Sequence, residues 1–328
     1  MEESNKIFTI SIIIRALNEA KHIDKLLYGI SQQTTLPDEI ILVDSGSTDD
    51  TIKKAQKYDV KVIKIEKNIF TFGRALNFGC REANSDILVF VSAHVYPVDK
   101  DWLQNLIQPF SNPNVASTFG KQRGNIKSKF SEHQIFSSWF PDKKASVKNR
   151  YFCNNANCAI RKDIWHEYPY DENLTGLEDL DWAKKQVAIG KEIFYAPSAE
   201  IIHVHDENLK QIRNRYRREA IALKIIEPEI SINFFQMLWL IFLSISIDIV
   251  ATKSPKGFFR HIISILTFRF NQYLGTYKGF KTRNYEIDSL HATFYYPLSN
   301  NEFIFKKNYK NKKTRNFINY SNQYKKID

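Results

Sequence analysis

Short apolar runs alternate with amphipathic stretches from residue 7 to about residue 120. Residues 7–14, 39–44, 60–65, 87–91 and 115–119 are almost continuously apolar, the pattern of strands covered on both faces of a sheet. Between them, residues 19–33, 48–58 and 73–83 have helical periodicity, and the second of these is entered through Ser45-Gly46-Ser47-Thr48-Asp49-Asp50, rich in capping side chains. This alternation predicts βαβ units and a mostly parallel sheet, an α/β fold. Ligands of such sheets bind beyond the carboxyl ends of the strands. Three polar clusters, Arg15 to Glu19, Asp44 to Asp49 and Ser92 to His94, are therefore expected to converge on one crevice.

Further along, residues 121–150 are basic, contain Gly124 and Pro141, and have no clean period, which predicts a loop or lid with a short helix near 132–139. Residues 153–205 return to a mixed α/β pattern, with 178–189 helical, and after His205 the chain turns helical. The run 234–247 is 14 residues long, broken only by Gln236 and two serines, and stops at Asp248. A spanning helix needs about 20 apolar residues, so a buried or membrane-surface helix is expected. A second helix over 257–278 mixes Phe258, Phe259, Phe268, Phe270 and Tyr273 with Arg260 and Arg269.

Charge changes this picture at one end. Lys and Arg number 47 against 36 Asp and Glu, a net +11, and residues 301–328 hold eight bases against Glu302 and Asp328, which is +6 of it. The body is thus mildly basic, and with no zinc-finger spacing or RNA-binding motif a nucleic-acid partner is not expected. An anionic membrane surface is the partner expected for the tail, with a solvated end as the alternative. Cys80, Cys153 and Cys158 are too few for a disulfide framework and match no common zinc spacing, so reduced apolar fillers are expected. The opening Met1-Glu2-Glu3-Ser4-Asn5 has no signal-peptide character, which predicts a cytoplasmic protein.

Asp44-Ser45-Gly46-Ser47-Thr48-Asp49 places a carboxylate at a strand end, where it can accept hydrogen bonds from a ribose or base edge, and a glycine where the backbone turns. Taken with Arg15-x-x-Asn18-Glu19 and Phe72-Gly73-Arg74-Ala75-Leu76-Asn77, its order and spacing resemble the family 2 glycosyltransferases of the GT-A fold over residues 7–225. Arg15 stands where that family usually has proline, a variant similar to rhamnosyltransferase-like members that build cell-surface polysaccharides. The resemblance implies a nucleotide-sugar co-substrate, a pocket built from Arg15, Ala16, Asn18, Glu19, Asp44, Ser45 and Gly46, with Ser92 and Ala93 beside it, and Arg74 reaching the diphosphate. It also implies a GT-A domain over 1–225; the aromatic-rich apolar helices and the basic end add a helical, membrane-associating region over 226–300 and a basic tail over 301–328.

One departure concerns the metal. Ser92-Ala93-His94 stands in place of the family's Asp-x-Asp motif, so Ser92 replaces one carboxylate and His94 the metal-holding one. Imidazole still binds a transition metal such as manganese. His203 and His205, two apart on a strand, face the same way and sit where the family often has a metal-binding histidine. The expected ligands of a divalent ion, Mn or Mg, are therefore His94, His203 and His205, with direct hydrogen bonding of His94 to the donor as the alternative.

Glu178 and Asp179 open a helix in Gly176-Leu177-Glu178-Asp179-Leu180-Asp181-Trp182. The resemblance casts them as the Glu-Asp motif, with Asp179 the general base that takes the proton of a weakly nucleophilic sugar hydroxyl, Glu178 the fallback and Asp181 structural. Asn155 or Asn157 is expected at the donor sugar, with a turn asparagine as the alternative. The function implied is inverting transfer of a sugar to a glycan or lipid-linked glycan at the inner face of a membrane, in capsule or O-antigen synthesis. Two other readings stand beside it. A sugar nucleotidyltransferase requires a Gly-rich phosphate loop after the first strand, and residues 15–20 contain no glycine; a non-catalytic carbohydrate- or partner-binding protein would fit the missing Asp-x-Asp.

Overall fold

A computed structural model describes residues 8–143, 151–252, 255–287, 290–295, 318 and 320. Its first half follows the apolar runs closely. β1 (Ile10–Ala16), β2 (Glu39–Asp44), β3 (Lys61–Lys64) and β4 (Ile87–Ser92) pair in parallel in the order β3-β2-β1-β4. α1 (Ile23–Ser31), α2 (Thr51–Ala55) and α3 (Phe72–Glu82) make the crossovers. β1 shows why these strands read as continuously apolar: Ile13 packs into one core and Ile12 and Ile14 into the other, on opposite faces of the sheet.

The second half is not parallel. β5 (Val95–Pro97), β6 (Val115–Arg123), β7 (Asn157–Arg161) and β8 (Glu192–His203) complete an eight-stranded sheet in the order β3-β2-β1-β4-β7-β6-β8-β5. β7 runs antiparallel to both β4 and β6, and β5 antiparallel to β8. The sheet is therefore mixed rather than mostly parallel. β6 also continues through Arg123, with register shifts against β8, into the stretch expected to be loop. After α4 (Trp102–Ile107), α5 (Phe130–Trp139) is the predicted short helix, and residues 144–150 of the expected lid lie outside the described residues.

After α6 (Lys162–Glu167), α7 (Glu178–Ala188) and β8 the chain is helical: α8 (Leu209–Ile226), α9 (Phe234–Ala251) and α10 (Pro255–Lys281). α10 lies close against α8, where a Cβ on Gly275 would collide with the backbone carbonyl of Arg213, a close approach that glycine permits. α9 runs four residues past the predicted stop, to Ala251. The reason is Asp248, which is fully buried and paired with Arg269 of α10 through two 2.7 Å hydrogen bonds. Its charge does not end the helix, because a partner on another helix satisfies it. With 18 residues α9 is long and apolar enough, by length and composition, to cross a membrane, and most of it is unburied.

The basic tail lies outside the described residues except for Ile318 and Tyr320. These two dock on the body: the Tyr320 hydroxyl donates to Pro97 O at 2.8 Å and its ring meets Tyr28 and Tyr96.

Candidate active site

The turns after β1 and β2 interlock. Asn18, at φ 53°, donates its N–H to the Ser47 hydroxyl, and its side-chain oxygen accepts from Thr48 N at 2.8 Å. Asparagine tolerates this left-handed geometry better than most residues. Glu19 N donates to the Thr51 hydroxyl at 2.7 Å, and Ser45 N to Ala16 O at 3.1 Å. Gly46 has φ 97°. The Asp44 carboxylate accepts from Gly46 N and Ser47 N and is 1% exposed. Asp44 and the buried Ser45 thus hold the turn together from within, at the carboxyl end of β2. Ala16 and Ala93 are buried beside them, while Arg15 and Ser92 remain partly open at the strand ends.

Two other residues expected at the ligand also have partners within the protein. Asn157 is 0% exposed; its side-chain oxygen accepts from Trp102 Nε1, and its amide nitrogen donates to Lys121 O and Ala199 O. It ties β6, β7 and β8 together. Arg74 pairs with Glu172 at 2.6 Å and donates to Ile69 O, so its guanidinium anchors the start of α3. Asn155 serves the carboxylates described below.

Glu178 and Asp179 sit in the first turn of α7, which Leu177 enters at φ 56°. Asp179 is 9% exposed and accepts from Asn155 N and from its own neighbour Leu180 N, each at 2.8 Å. Burial, then the Glu178 charge, push its carboxyl up to about 7 against the lowering pull of those two N–H groups and Arg15. Glu178 faces Arg15 Nη1 at 3.3 Å and Asn155 Nδ2 at 3.4 Å. Arg15 and Arg218 of α8 both stack on the ring of Phe72, 4.5 and 4.4 Å from its centroid. Asp181 pairs with Lys185, one turn along α7, at 2.6 Å.

The three histidines do come together. Pairing of β5 with β8 sets Val95 opposite His203, and Val204 N donates to His94 O at 3.1 Å, so the end of β4 meets the end of β8. Ring centroids are 5.2 Å apart for His94 and His203 and 4.1 Å for His203 and His205. One ligating nitrogen from each lies within 4.8 Å of the other two. Every Nδ1 has a side-chain oxygen at 2.7 Å: Glu19 for His94, Gln122 for His203 and Glu132 for His205. Nε2 of His203 is buried without a hydrogen-bond partner.

Burial depresses His203 well below the usual imidazole range, helped by His205 and His94. Burial works the same way on His94, but the Glu19 charge and hydrogen bond outweigh it and its net shift is upward. Glu132 experiences burial that raises it, yet His205 and Arg215 carry it down to about 2. An orphaned, buried imidazole nitrogen facing two further imidazoles fits a divalent cation.

Gln122, Glu132 and Arg215 are the members of this cluster that sequence spacing does not single out. Gln122 lies on β6 and Glu132 on α5, 81 and 73 positions from the histidines they hold, and Arg215 lies on a separate helix, α8, so no local pattern marks them.

Comparison with known proteins fits this arrangement. Residues 11–168 match the model of glycosyl transferase family 2. The chain is 26% identical over 220 residues to an O-antigen chain rhamnosyltransferase, RfbN, of Salmonella typhimurium, covering 63% of this chain and 70% of that protein. It is 25% identical over 201 residues to the O-antigen chain rhamnosyltransferase WbaN of Salmonella anatum, covering 58% of this chain and 64% of that one. Among solved structures, a mannosyltransferase of Pyrobaculum calidifontis, described in complex with GDP-Man and Mn2+, superposes with a TM-score of 0.54 at 19% identity over 83% of this chain and 74% of its own. The strand order that brings the first two turns and the end of β4 to one crevice is thus that of the GT-A fold, and residues 11–168 form a family 2 glycosyltransferase domain.

Proposed function

We propose that the chain is an inverting glycosyltransferase that moves a sugar from a nucleoside-diphosphate donor to a glycan or lipid-linked glycan in cell-surface polysaccharide synthesis. The names of the Salmonella relatives, both O-antigen chain rhamnosyltransferases, support the pathway class. The observation that carries the mechanism is Asp179: a buried carboxylate, oriented by two backbone N–H groups and raised to about 7. A base with that pKa is half ionised near neutrality and strong enough to take a hydroxyl proton in the transition state.

Asp179 accepts the acceptor's hydroxyl proton as that oxygen bonds to the anomeric carbon. The bond from that carbon to the diphosphate oxygen breaks on the opposite face, and the nucleoside diphosphate leaves with its electron pair. Glu178 holds Arg15 in place beside the base and, as a second negative charge, keeps Asp179 basic. Arg15, Asn18, Glu19, Gly46 and Ser92 line the donor side. His94, His203 and His205 are the residues that would hold a divalent ion, whose chemistry when bound is to neutralise the departing diphosphate. Exposed apolar side chains on α9 and α10, among them Phe235, Trp239, Phe242, Phe259 and Ile263, support attachment at the inner face of a membrane.

The testing experiment is a calorimetric titration of the full chain with UDP-, GDP-, dTDP- and CMP-nucleotides, followed by transfer assays of Asp179→Asn with the nucleotide sugar that binds. Donor binding should persist in the variant while transfer is lost. Unchanged turnover would remove Asp179 as the base.

A further inference from the structure

We infer that His94, His203 and His205 form an all-nitrogen site for a zinc-class transition ion that is resident in the protein before any nucleotide arrives. The inference rests on the reading of these residues as metal ligands and adds which ions they take and when.

Ligand chemistry comes first. Magnesium is a hard ion, commonly held by one or two carboxylates plus the phosphates of its substrate, so it needs the nucleotide to complete its shell. Imidazole nitrogen suits zinc, cobalt, nickel and copper instead. Glu19 and Glu132 touch the histidine rings and so occupy the layer behind the three nitrogens. Protein alone supplies three ligands here, which is enough to retain a transition ion and leaves a fourth position open.

The layer behind the ligands is also in place. Gln122 donates its own amide N–H to Asn154 Oδ1 at 2.9 Å, so its Oε1 is the atom turned to His203. That oxygen can only accept, which puts the proton of His203 on Nδ1 and the lone pair on Nε2. Nε2 is the buried atom without a partner. Glu132, accepting from His205, is itself held by Arg215 at 2.9 Å, and Arg215 by Glu207 at 2.7 Å. Imidazoles fixed through Nδ1 by anchored oxygens are the usual arrangement around a metal, because they set the tautomer and ring angle. The nitrogens lie within 4.8 Å, and closing on one ion at ~2.1 Å brings them to about 3.4 Å apart, a small movement for the partly exposed His94 and His205.

The departure from paired carboxylates then has a chemical meaning. Neutral ligands leave the ion its full double charge, directed at whatever oxygen fills the open position. A diphosphate oxygen is the group of the proposed donor that fits it.

The test uses the full chain, stripped with chelator and free of nucleotide. Co2+ alone is titrated and followed by visible absorption, with calorimetry for Zn2+, Mn2+ and Mg2+. One Co2+ or Zn2+ per chain, with visible bands of a four- or five-coordinate nitrogen site and no competition by Mg2+, is the expected result. His94→Gln and His205→Gln, both at partly exposed positions, should abolish the bands. Glu132→Gln should weaken Zn2+ binding by ~10–100-fold while leaving the ligand set intact. His203→Gln is buried and is interpreted only if its circular dichroism matches the parent. Absence of any ion uptake without nucleotide overturns the inference, as does equal binding of Mg2+ or a cobalt spectrum indifferent to both exposed-histidine variants. These outcomes separate from those of the proposed mechanism: an active Asp179→Asn sinks the base assignment and leaves the cobalt titration standing, whereas transfer that needs Mn2+ only with donor, in a chain that binds no ion alone, does the reverse.

Discussion

Two groups of carboxylates in this protein are shifted in opposite directions. At the start of α7, Asp179 is raised to about 7; beside the histidines, Glu132 is lowered to about 2 and Glu19 is lowered as well. Burial is the largest single influence on all three, and it raises each of them. The neighbours decide the net sign. Asp179 has Glu178 next to it, a like charge that adds to desolvation, whereas Glu132 and Glu19 face imidazole and, for Glu132, the Arg215 guanidinium. The same side-chain chemistry thereby yields a proton acceptor poised near neutrality in one place and permanent anions behind the histidines in the other.

The largest expected effect breaks the first half of that contrast. Asp179→Asn should lower transfer by ~10²–10⁴-fold, the usual range for loss of a general base, with donor affinity unchanged by calorimetry. Next, the wild-type kcat/KM should rise with pH up to about 7 and then level, because only ionised Asp179 accepts a proton. Removing the like charge with Glu178→Gln should move this limb to lower pH; a limb that stays put would show that Glu178 does not set the basicity of Asp179.

Stability offers a third comparison with opposite signs. The folded pKa of Asp179 lies above its ordinary value, so its contribution is present at low pH and is lost as pH rises from about 4 through 7. Glu132 is depressed, so its contribution is present above its ordinary value of 4.5 and lost as pH falls toward 2. Urea unfolding of Glu132→Gln against wild type should show a deficit on the order of 3 kcal/mol near pH 6 that shrinks toward pH 3. Asp179→Asn should instead gain on wild type as pH rises from 5 to 8. The smallest effect concerns Arg74. Its pair with Glu172 is about a third exposed, so Arg74→Ala should cost about 1 kcal/mol or less and leave nucleotide affinity unchanged; a large loss of affinity would return Arg74 to the donor pocket.

How much of this was legible beforehand depends on whether the signal is local. β1 to β4 and their crossover helices are readable because strands buried on both faces must be continuously apolar. β5 and β7 are short, and β8 carries polar residues such as Glu192 and Glu200, so their alternation is weak and the antiparallel second half is not legible. The sequence pattern ends α9 at Asp248 because a charge breaks an apolar run, and Arg269, 21 positions away, makes that buried charge compatible with a continuing helix. Asn157 and Arg74 stood among motif residues, yet their hydrogen bonds go to backbone and side chains far away in sequence. Proximity within a motif carries no information about which way a side chain is satisfied.

Sequence alone determined the family-defining order of the turns, the position of the Glu178–Asp179 pair at a helix start and the identity of the three histidines. Each is a matter of residue type and spacing along the chain, and these are local properties. Tertiary structure decided what those residues are chemically. The basicity of Asp179, the occupied state of Asp44 and Asn157, and the oxygens of Glu19, Gln122 and Glu132 behind the histidines all depend on groups brought in by other elements. The physical reason is that desolvation and charge act through space over a few ångströms, and only the folded sheet determines which residues lie within that distance.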